Sequence, residues 1–127
     1  MLWLTHDLVY TYRYAVVTGA NKGIGLEIVK QLASLGVVVV LTARNETRGK
    51  DAITKLHHLG LSNVMFHQLD VLDALSIDSL AKFIQHKFGR LDILVSFFID
   101  LTLKFSIIIL SFYNDNFYEN SYIAVHL

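Results

Sequence analysis

Residues 18–25, with the sequence TGANKGIG, constrain the fold more than any other segment of this chain. They lie between a short apolar run (residues 14–19), which predicts a buried strand, and a segment with apolar residues at helical spacing. Glycine lacks a Cβ and tolerates positive φ, so such a loop can turn sharply and bring backbone N–H groups close to a phosphate oxygen. The following helix adds unpaired N–H groups and a positive dipole end. The segment predicts a phosphate-binding strand–loop–helix unit; a glycine-rich turn without a ligand is the alternative.

The alternation of strand and helix continues along the chain. Further strands are predicted at residues 37–42, 64–70 and 91–95, each preceded by a helical segment. This order is typical of a parallel sheet with right-handed crossovers. The expected fold class is α/β, namely the N-terminal half of a Rossmann-like doubly wound sheet with strand order 3-2-1-4. The GK[ST] ending of a P-loop is missing, so triphosphate hydrolysis is disfavoured.

Apolar stripes and terminal residues define the three predicted helices. The expected buried stripes are Ile24, Ile28, Leu32 and Leu35; Ala52, Ile53, Leu56 and Leu59; and Ile77, Leu80, Ala81, Ile84 and Phe88. Gly36, Gly60 and Gly89 follow the helices as predicted C-terminal caps, and Asp73 is the predicted N-cap of the third. His57 and His58 are expected at a solvated helix end rather than in a metal site.

Charge and composition exclude several classes of function. Eleven basic residues balance eleven acidic ones, so no nucleic-acid partner is expected. The absence of cysteine excludes a disulfide framework and thiolate metal sites, and it fits a cytoplasmic location. The apolar segment 101–112 is shorter than the roughly 20 residues that a bilayer span needs, so no membrane association is expected.

A change in composition divides the chain near residue 95. All seven glycines lie between Gly19 and Gly89, whereas residues 91–127 contain eight of the fifteen aromatic residues and a single base, Lys104. We therefore predict an N-terminal extension (residues 1–12), a partial nucleotide-binding domain (residues 13–95) and an atypical apolar and aromatic tail (residues 96–127).

The spacing G-x-x-x-G-x-G after a threonine resembles the TGxxxGxG motif of the short-chain dehydrogenase/reductase family. Residues 13–95 resemble its plant carbonyl-reductase branch, which includes menthone or neomenthol dehydrogenases and salutaridine reductase and favours NADPH. The resemblance implies an oxidoreductase-type domain with NADP(H) as its cofactor. The loop residues that it implies for cofactor binding are Thr18, Gly19, Asn21, Lys22, Gly23, Ile24 and Gly25.

The ends of the second and third strands indicate which dinucleotide is bound. NAD-binding proteins place an acidic residue at about 20 residues after the loop to bind the ribose 2′-OH. Here Arg44 and Asn45 occupy that region, and Arg44 with Lys22 can neutralise a 2′-phosphate. The alternative is that both bases are solvated surface charges. Asp70 and Val71 match the family's pair at the adenine ring, although an aspartate at a strand end is more often a cap or turn residue.

The family's catalytic residues have no counterpart in this sequence. The family protonates the forming alkoxide with the tyrosine of Tyr-x-x-x-Lys, and no tyrosine here has lysine four residues later. Where the family continues its fourth strand with Asn-Asn-Ala-Gly, this chain has residues 96–99, SFFI, with two bulky aromatics where the nicotinamide half should pass. We predict no catalytic residues, and a truncated or alternatively spliced product that is inactive by itself.

Two other functions remain open. One is an active NADPH-dependent carbonyl reductase that uses an unrecognised acid such as Tyr113 or Tyr118; a carbonyl substrate is expected only in that case. The other is an interaction module. The first and fourth strands are expected to lack covering helices on one face, and the fourth to form an exposed edge, which favours pairing with a full-length relative.

Overall fold

The computed structural model describes residues 12–99, 105–112 and 120–126, with the backbone alone for residues 97–99, 105–112 and 120–126. In the described ranges, strands and helices alternate up to the fourth strand, and two further strands follow. Their order is β1 (Tyr14–Val17), α1 (Gly23–Ser34), β2 (Val38–Ala43), α2 (Glu46–His58), β3 (Val64–Gln68), α3 (Ala74–Lys87), β4 (Ile93–Ile99), β5 (Phe105–Phe112) and β6 (Asn120–His126).

The strands form one sheet with the order β3-β2-β1-β4-β5-β6. β1 is parallel to both β2 and β4, and β2 is parallel to β3. The predicted parallel order 3-2-1-4 is therefore confirmed. β5 and β6 extend the sheet in antiparallel orientation on the far side of β4.

The β4 edge is covered, contrary to the expectation of an exposed strand. β5 pairs with β4 along its whole length, from Ile93 opposite Ser111 to Ile99 opposite Phe105. Because the free N–H and C=O groups of β4 on that side have partners within the chain, the expectation of an open β4 edge is wrong. The apolar tail contributes the strand that closes it.

The core lies on both faces of the sheet. Alternate residues of a strand point to opposite faces, so Ala15 and Val17 of β1 pack on the side of α1 and α2, whereas Val16 packs on the side of α3. All three are at most 1% exposed. The expectation that β1 would lack cover on one face is therefore wrong, because Leu80 and Ile84 of α3 belong to the cluster around Val16. Each fully buried valine or leucine stabilises the fold by about 1.5–3 kcal/mol.

The buried stripe of α1 differs from the predicted one. Gly25, Val29 and Ala33 are buried, and the predicted residues Ile28 and Leu32 are half-buried and pack against the same core. The other two predicted residues, Ile24 and Leu35, are 54% and 82% exposed. The predicted stripes of α2 and α3 are correct in their centres, but each contains residues that are exposed: Leu59, Ile77 and Ala81.

Close packing of α1 against the preceding loop explains why the small residues of α1 are the buried ones. A Cβ on Gly25 would lie 2.9 Å from both the Cα of Ala20 and the carbonyl oxygen of Gly19. A glycine therefore lets the backbone of α1 approach the end of β1, and the small side of the helix turns inward. Larger apolar residues are left at the margin of the contact.

The helix ends agree with the sequence prediction. Gly36, Gly60 and Gly89 follow α1, α2 and α3 with positive φ angles of 87°, 86° and 76°. Asp73 accepts a hydrogen bond from the N–H of Leu75 at 3.0 Å and caps α3. His57 and His58 are exposed in the last turn of α2, as expected. Within the described ranges, no helix is long and apolar enough to cross a membrane.

Candidate cofactor-binding site

The carboxyl ends of β1, β2 and β3 bring the predicted binding residues to one edge of the sheet. The strands are in register, since Val17 pairs with Leu41 and Leu41 pairs with Phe66. The glycine loop follows β1, Arg44 follows β2, and Asp70 lies just beyond β3. This edge is where doubly wound sheets bind their ligands.

Backbone hydrogen bonds hold the glycine loop from both sides. The N–H of Thr18 donates to the carbonyl oxygen of Val95 in β4, and the N–H of Ala20 donates to that of Thr42 in β2, each at 2.9 Å. The buried hydroxyl of Thr42 also donates to the carbonyl oxygen of Val17 at 2.9 Å. The loop, and with it the start of α1, is thus fixed by the two strands that flank β1.

Gly19 and Gly23 adopt left-handed backbone conformations, with φ of 57° and 63°. A Cβ at either position would have no heavy atom within 4 Å. The backbone conformation, rather than crowding, therefore favours glycine here. Open space therefore lies beside both residues.

Helix α1 begins without a side-chain cap. The side chain of its N-cap residue, Lys22, makes no capping hydrogen bond, and the first turn contains no acidic residue. By contrast, Asn45 caps α2 and Asp73 caps α3. In the described part of the chain, no side chain therefore caps the first turn of α1. Helix N-termini that bind phosphates offer such N–H groups together with the positive end of the helix dipole.

Lys22 and Arg44 are exposed cations at this edge. In the described part of the chain, neither side chain forms an ion pair. Both are therefore free to approach an added anionic group. No carboxylate occupies the position of Arg44 at the end of β2.

Asn45 and Asp70 have local structural roles. The Oδ1 atom of Asn45 accepts from the N–H of Arg48 at 3.0 Å, and that of Asp70 accepts from the N–H of Leu72 at 3.0 Å. Asp70 thus acts as a turn residue, which was the alternative interpretation of its position. Its neighbour Val71 is 52% exposed. Contact of these residues with adenine or ribose stays a prediction.

The two other loop residues predicted from the resemblance lie at the entrance to α1. Asn21 is half-buried, and the exposed Ile24 is in the first turn of the helix. The structure therefore brings every predicted binding residue to the edge formed by the ends of β1, β2 and β3.

Ser76 and Gln68 are polar residues of this region that the sequence reasoning missed. Ser76 is buried, and its Oγ accepts from the N–H of Asp70 at 2.9 Å and lies 3.4 Å from Oε1 of Gln68. The sequence holds no local signal for this contact, because Ser76 bonds to Asp70, before the N-cap Asp73, and not to the cap residue itself.

The tyrosines with described side chains lie away from this edge. Tyr14 begins β1 at the opposite edge, where its ring stacks on Phe88 with 4.3 Å between centroids, and Tyr12 precedes it. Tyr113 and Tyr118 lie outside the described residues, so the suggestion that one of them supplies an acid stays a prediction.

β4 extends beyond the site. Its last parallel pair with β1 joins Val95 to Val17, yet β4 continues through Ile99. The strand therefore projects four residues past the end of β1, on the side next to the glycine loop. The structure describes only the backbone of Phe97 and Phe98. The expected effect of their side chains on the nicotinamide half of the cofactor stays a prediction.

A parallel sheet of this order, with a glycine loop between β1 and α1, is the arrangement of the doubly wound α/β class. The sequence profile of the short chain dehydrogenase family matches residues 13–96. Since this match covers more than half of the 127 residues, the chain belongs to the short chain dehydrogenase family.

Individual relatives agree with this assignment. The chain is 59% identical over 91 residues to salutaridine reductase of Papaver bracteatum, covering 71% of this chain and 29% of the relative. It is 49% identical over 85 residues to carbonyl reductase [NADPH] 1 of Sus scrofa, covering 66% and 29%. The solved structure of menthone neomenthol reductase from Mentha piperita superposes with a TM-score of 0.63 at 55% identity, covering 66% and 30%. The chain thus spans about three tenths of the length of each relative.

Proposed function

We propose that this chain is an NADP(H)-binding unit of the short-chain reductase type that has no catalytic activity by itself. One observation carries the proposal: α1 starts without a side-chain cap or an acidic residue in its first turn, directly after a loop in which Gly19 and Gly23 have positive φ. An anion at this position is stabilised by the helix dipole and by backbone N–H groups. A dinucleotide pyrophosphate has the matching charge.

The binding roles follow from the placement of each element. We assign residues 13–95 as the binding unit. Within it, backbone groups of residues 18–25 face the pyrophosphate. Arg44, supported by Lys22, binds the 2′-phosphate, with Asn45 holding the start of α2 beside it. Asp70 shapes the turn after β3, and Val71 provides an exposed apolar side chain for the adenine.

The residues at the end of β2 favour NADP(H) over NAD(H). The guanidinium of Arg44, which forms no ion pair with a described residue, belongs to the sequence region where NAD-binding proteins have a carboxylate for the ribose 2′-OH. A guanidinium–phosphate contact is charge-assisted and can be bidentate. The printed name of the carbonyl reductase [NADPH] 1 relative supports the same choice.

The lack of activity is proposed from the chemistry that carbonyl reduction requires. Bound NADPH supplies a hydride, but the forming alkoxide also needs a proton donor in contact with it. No tyrosine of this sequence has lysine four residues later, and the usual tyrosine pKa of about 10 makes an unassisted phenol a poor acid near neutral pH.

Titration of the purified chain with NADPH and NADH tests this function, together with a turnover assay on a cyclic ketone. We expect NADPH to bind more tightly than NADH and no ketone to be reduced.

Arg44→Ala should weaken NADPH binding by at least about tenfold, as expected for the loss of a charged hydrogen bond, and should change NADH binding little. Lys55→Ala, at an exposed base in the last turn of α2, is the matched control. If neither dinucleotide binds, the proposal is wrong; ketone reduction would instead support the active-enzyme alternative.

The interaction-module alternative loses its main support because β5 pairs along the β4 edge that was expected to bind a partner.

For the location of the chain we propose the cytoplasm, which the absence of cysteine supports. Fractionation of cells that express the tagged chain tests this location, and recovery in a secreted or organellar fraction would contradict it.

A further inference from the structure

We propose that Gln68 and Ser76 are positioning residues that hold Arg44 and Asp70 in place for the 2′-phosphoadenosine end of NADP(H). The inference rests on the proposed function of this site. It assigns a binding role to two residues that do not belong to the glycine loop or to either predicted strand-end pair.

A continuous chain of hydrogen bonds joins three elements at the binding edge. The N–H of Asp70 donates to Oγ of Ser76 at 2.9 Å, and Oγ of Ser76 lies 3.4 Å from Oε1 of Gln68. The Nε2 group of Gln68 donates to the carbonyl oxygen of Arg44 at 3.3 Å. We call these four linked groups the relay. It runs from the end of β2, across the end of β3, to the start of α3.

The direction of the relay is fixed by its donors and acceptors. Because Oγ of Ser76 accepts from a backbone N–H, its own proton is available for Oε1 of Gln68. The amide of Gln68 must then direct its NH₂ group to Arg44, as observed. Ser76 is only 8% exposed, so water cannot readily replace its hydroxyl, and its loss leaves the Asp70 N–H without that partner.

The relay links two residues with different roles in the proposed site. Besides the relay, the backbone bond from the N–H of Leu69 to the carbonyl oxygen of Ala43 connects these strand ends, at 3.0 Å. That bond holds the peptide unit between Ala43 and Arg44, but it involves neither the carbonyl oxygen of Arg44 nor Asp70. The relay therefore sets the position of the Arg44 peptide relative to the turn at Asp70. Since Arg44 is the proposed partner of the 2′-phosphate, loosening the relay should chiefly weaken ligands that carry that phosphate.

The test compares two probes, 2′,5′-ADP and 5′-ADP, on the full 127-residue chain. In Gln68→Met and in Ser76→Ala, we expect the preference for 2′,5′-ADP to fall by about five- to tenfold, the size of one lost hydrogen bond to a positioned group. The double variant should lose no more than either single variant, because both changes break the same relay. Gln68 is exposed, so Gln68→Met should fold even if the buried change at Ser76 does not.

Asn63→Ala is the matched control for a purely structural loss. Its amide donates to the carbonyl oxygens of Ala33 and Val37 at 2.9 and 2.7 Å, before the start of β3 at the opposite edge of the sheet. This variant should lower stability and leave the preference for 2′,5′-ADP unchanged, and Ser76→Thr, which retains the hydroxyl, should keep most of the preference.

Two results would overturn the inference, and they are distinct from failure of the proposed function. The first is an unchanged preference in both single variants while the wild-type chain binds 2′,5′-ADP. The second is an equal loss of the preference for 2′,5′-ADP in Asn63→Ala, which would show that the loss follows from lower stability and not from the broken relay. If the wild-type chain binds neither probe, the proposed function itself fails, and the role of the relay fails with it.

Discussion

Gly49 of α2 lies against the ring of Phe66 in β3, and a Cβ on residue 49 would be 2.0 Å from Cε2 of that ring. Gly25 of α1 is similarly close to Ala20 and to the carbonyl of Gly19. At these two positions, the absence of a side chain lets a helix pack directly on the sheet or on its loop. The contact at Gly49 sets the distance between α2 and the sheet. The contact at Gly25 sets the position of the N-terminal end of α1 at the proposed site.

Gly49→Ala should destabilise the chain by about 1–3 kcal/mol, because the new methyl group overpacks the contact with Phe66. Phe66→Leu in the same chain should recover part of this loss, since the smaller side chain makes room for the methyl. Chemical denaturation of the two single variants and the double variant measures this coupling.

Asp51→Ala, at an exposed position of the same helix, should change the free energy of unfolding by no more than about 0.5 kcal/mol. Equal stability of Gly49→Ala and the wild-type chain would show that the α2–β3 contact is looser than the structure indicates.

Among the helices, α1 differs from α2 and α3 in its N-terminus. Asn45 and Asp73 satisfy N–H groups of their own helices, whereas the side chain of Lys22 caps none of those of α1. A capping side chain there would stabilise the chain without ligand. Its absence is explained if the acceptor is an anion that binds at this position.

Lys22→Ser should therefore have opposite effects on stability and binding. The serine hydroxyl can cap α1, since residue 22 already has the extended conformation of an N-cap, and should stabilise the chain by about 0.5–2 kcal/mol. The same hydroxyl competes with phosphate for the first-turn N–H groups, so NADPH should bind more weakly. Denaturation and NADPH titration measure the two effects.

Lys22→Ala separates capping from the loss of charge. It should weaken NADPH binding through the lost cation but provide no increase in stability. If Lys22→Ser binds NADPH as tightly as the wild-type chain, the start of α1 is not the pyrophosphate site.

Sequence patterns predicted elements well where the information is local. Gly36, Gly60 and Asp73 mark helix ends because positive φ and N-capping are properties of one or two residues. The predicted face of α1 was right at Ile28 and Leu32 and wrong at Ile24 and Leu35. Close backbone approach at Gly25 selects small residues, which a search for large apolar positions overlooks. Gln68 and Ser76 were missed because three elements must come together before their side chains meet.

At the scale of the whole molecule, the tail of the chain completes the sheet beside β4. β5 and β6 follow in antiparallel orientation, although their sequence shows no periodicity that indicates this pairing. The composition change near residue 95 was visible in the sequence, but the pairing depends on which edge of the folded sheet is free. β4 itself continues to Ile99, four residues past its last pair with β1.

This extension leads to a prediction about the two halves of the cofactor. Since β4 continues past the end of β1 next to the glycine loop, we expect the nicotinamide half to contribute little to binding. The affinities of 2′,5′-ADP and NADPH should then agree within about threefold, a difference below 1 kcal/mol. Competition titration measures the ratio, and NADPH binding more than about tenfold tighter would show that the nicotinamide half has a site of its own.

The most direct test of NADP(H) binding at the glycine loop is an NMR titration that follows the amide signals of all seven glycines. We predict saturable shifts for Gly19, Gly23 and Gly25, at lower concentrations of NADPH than of NADH. The signals of Gly36, Gly60 and Gly89, which follow the C-terminal ends of α1, α2 and α3, should not move and serve as internal controls. An absence of shifts, or equal shifts in both groups of glycines, would contradict cofactor binding at this loop.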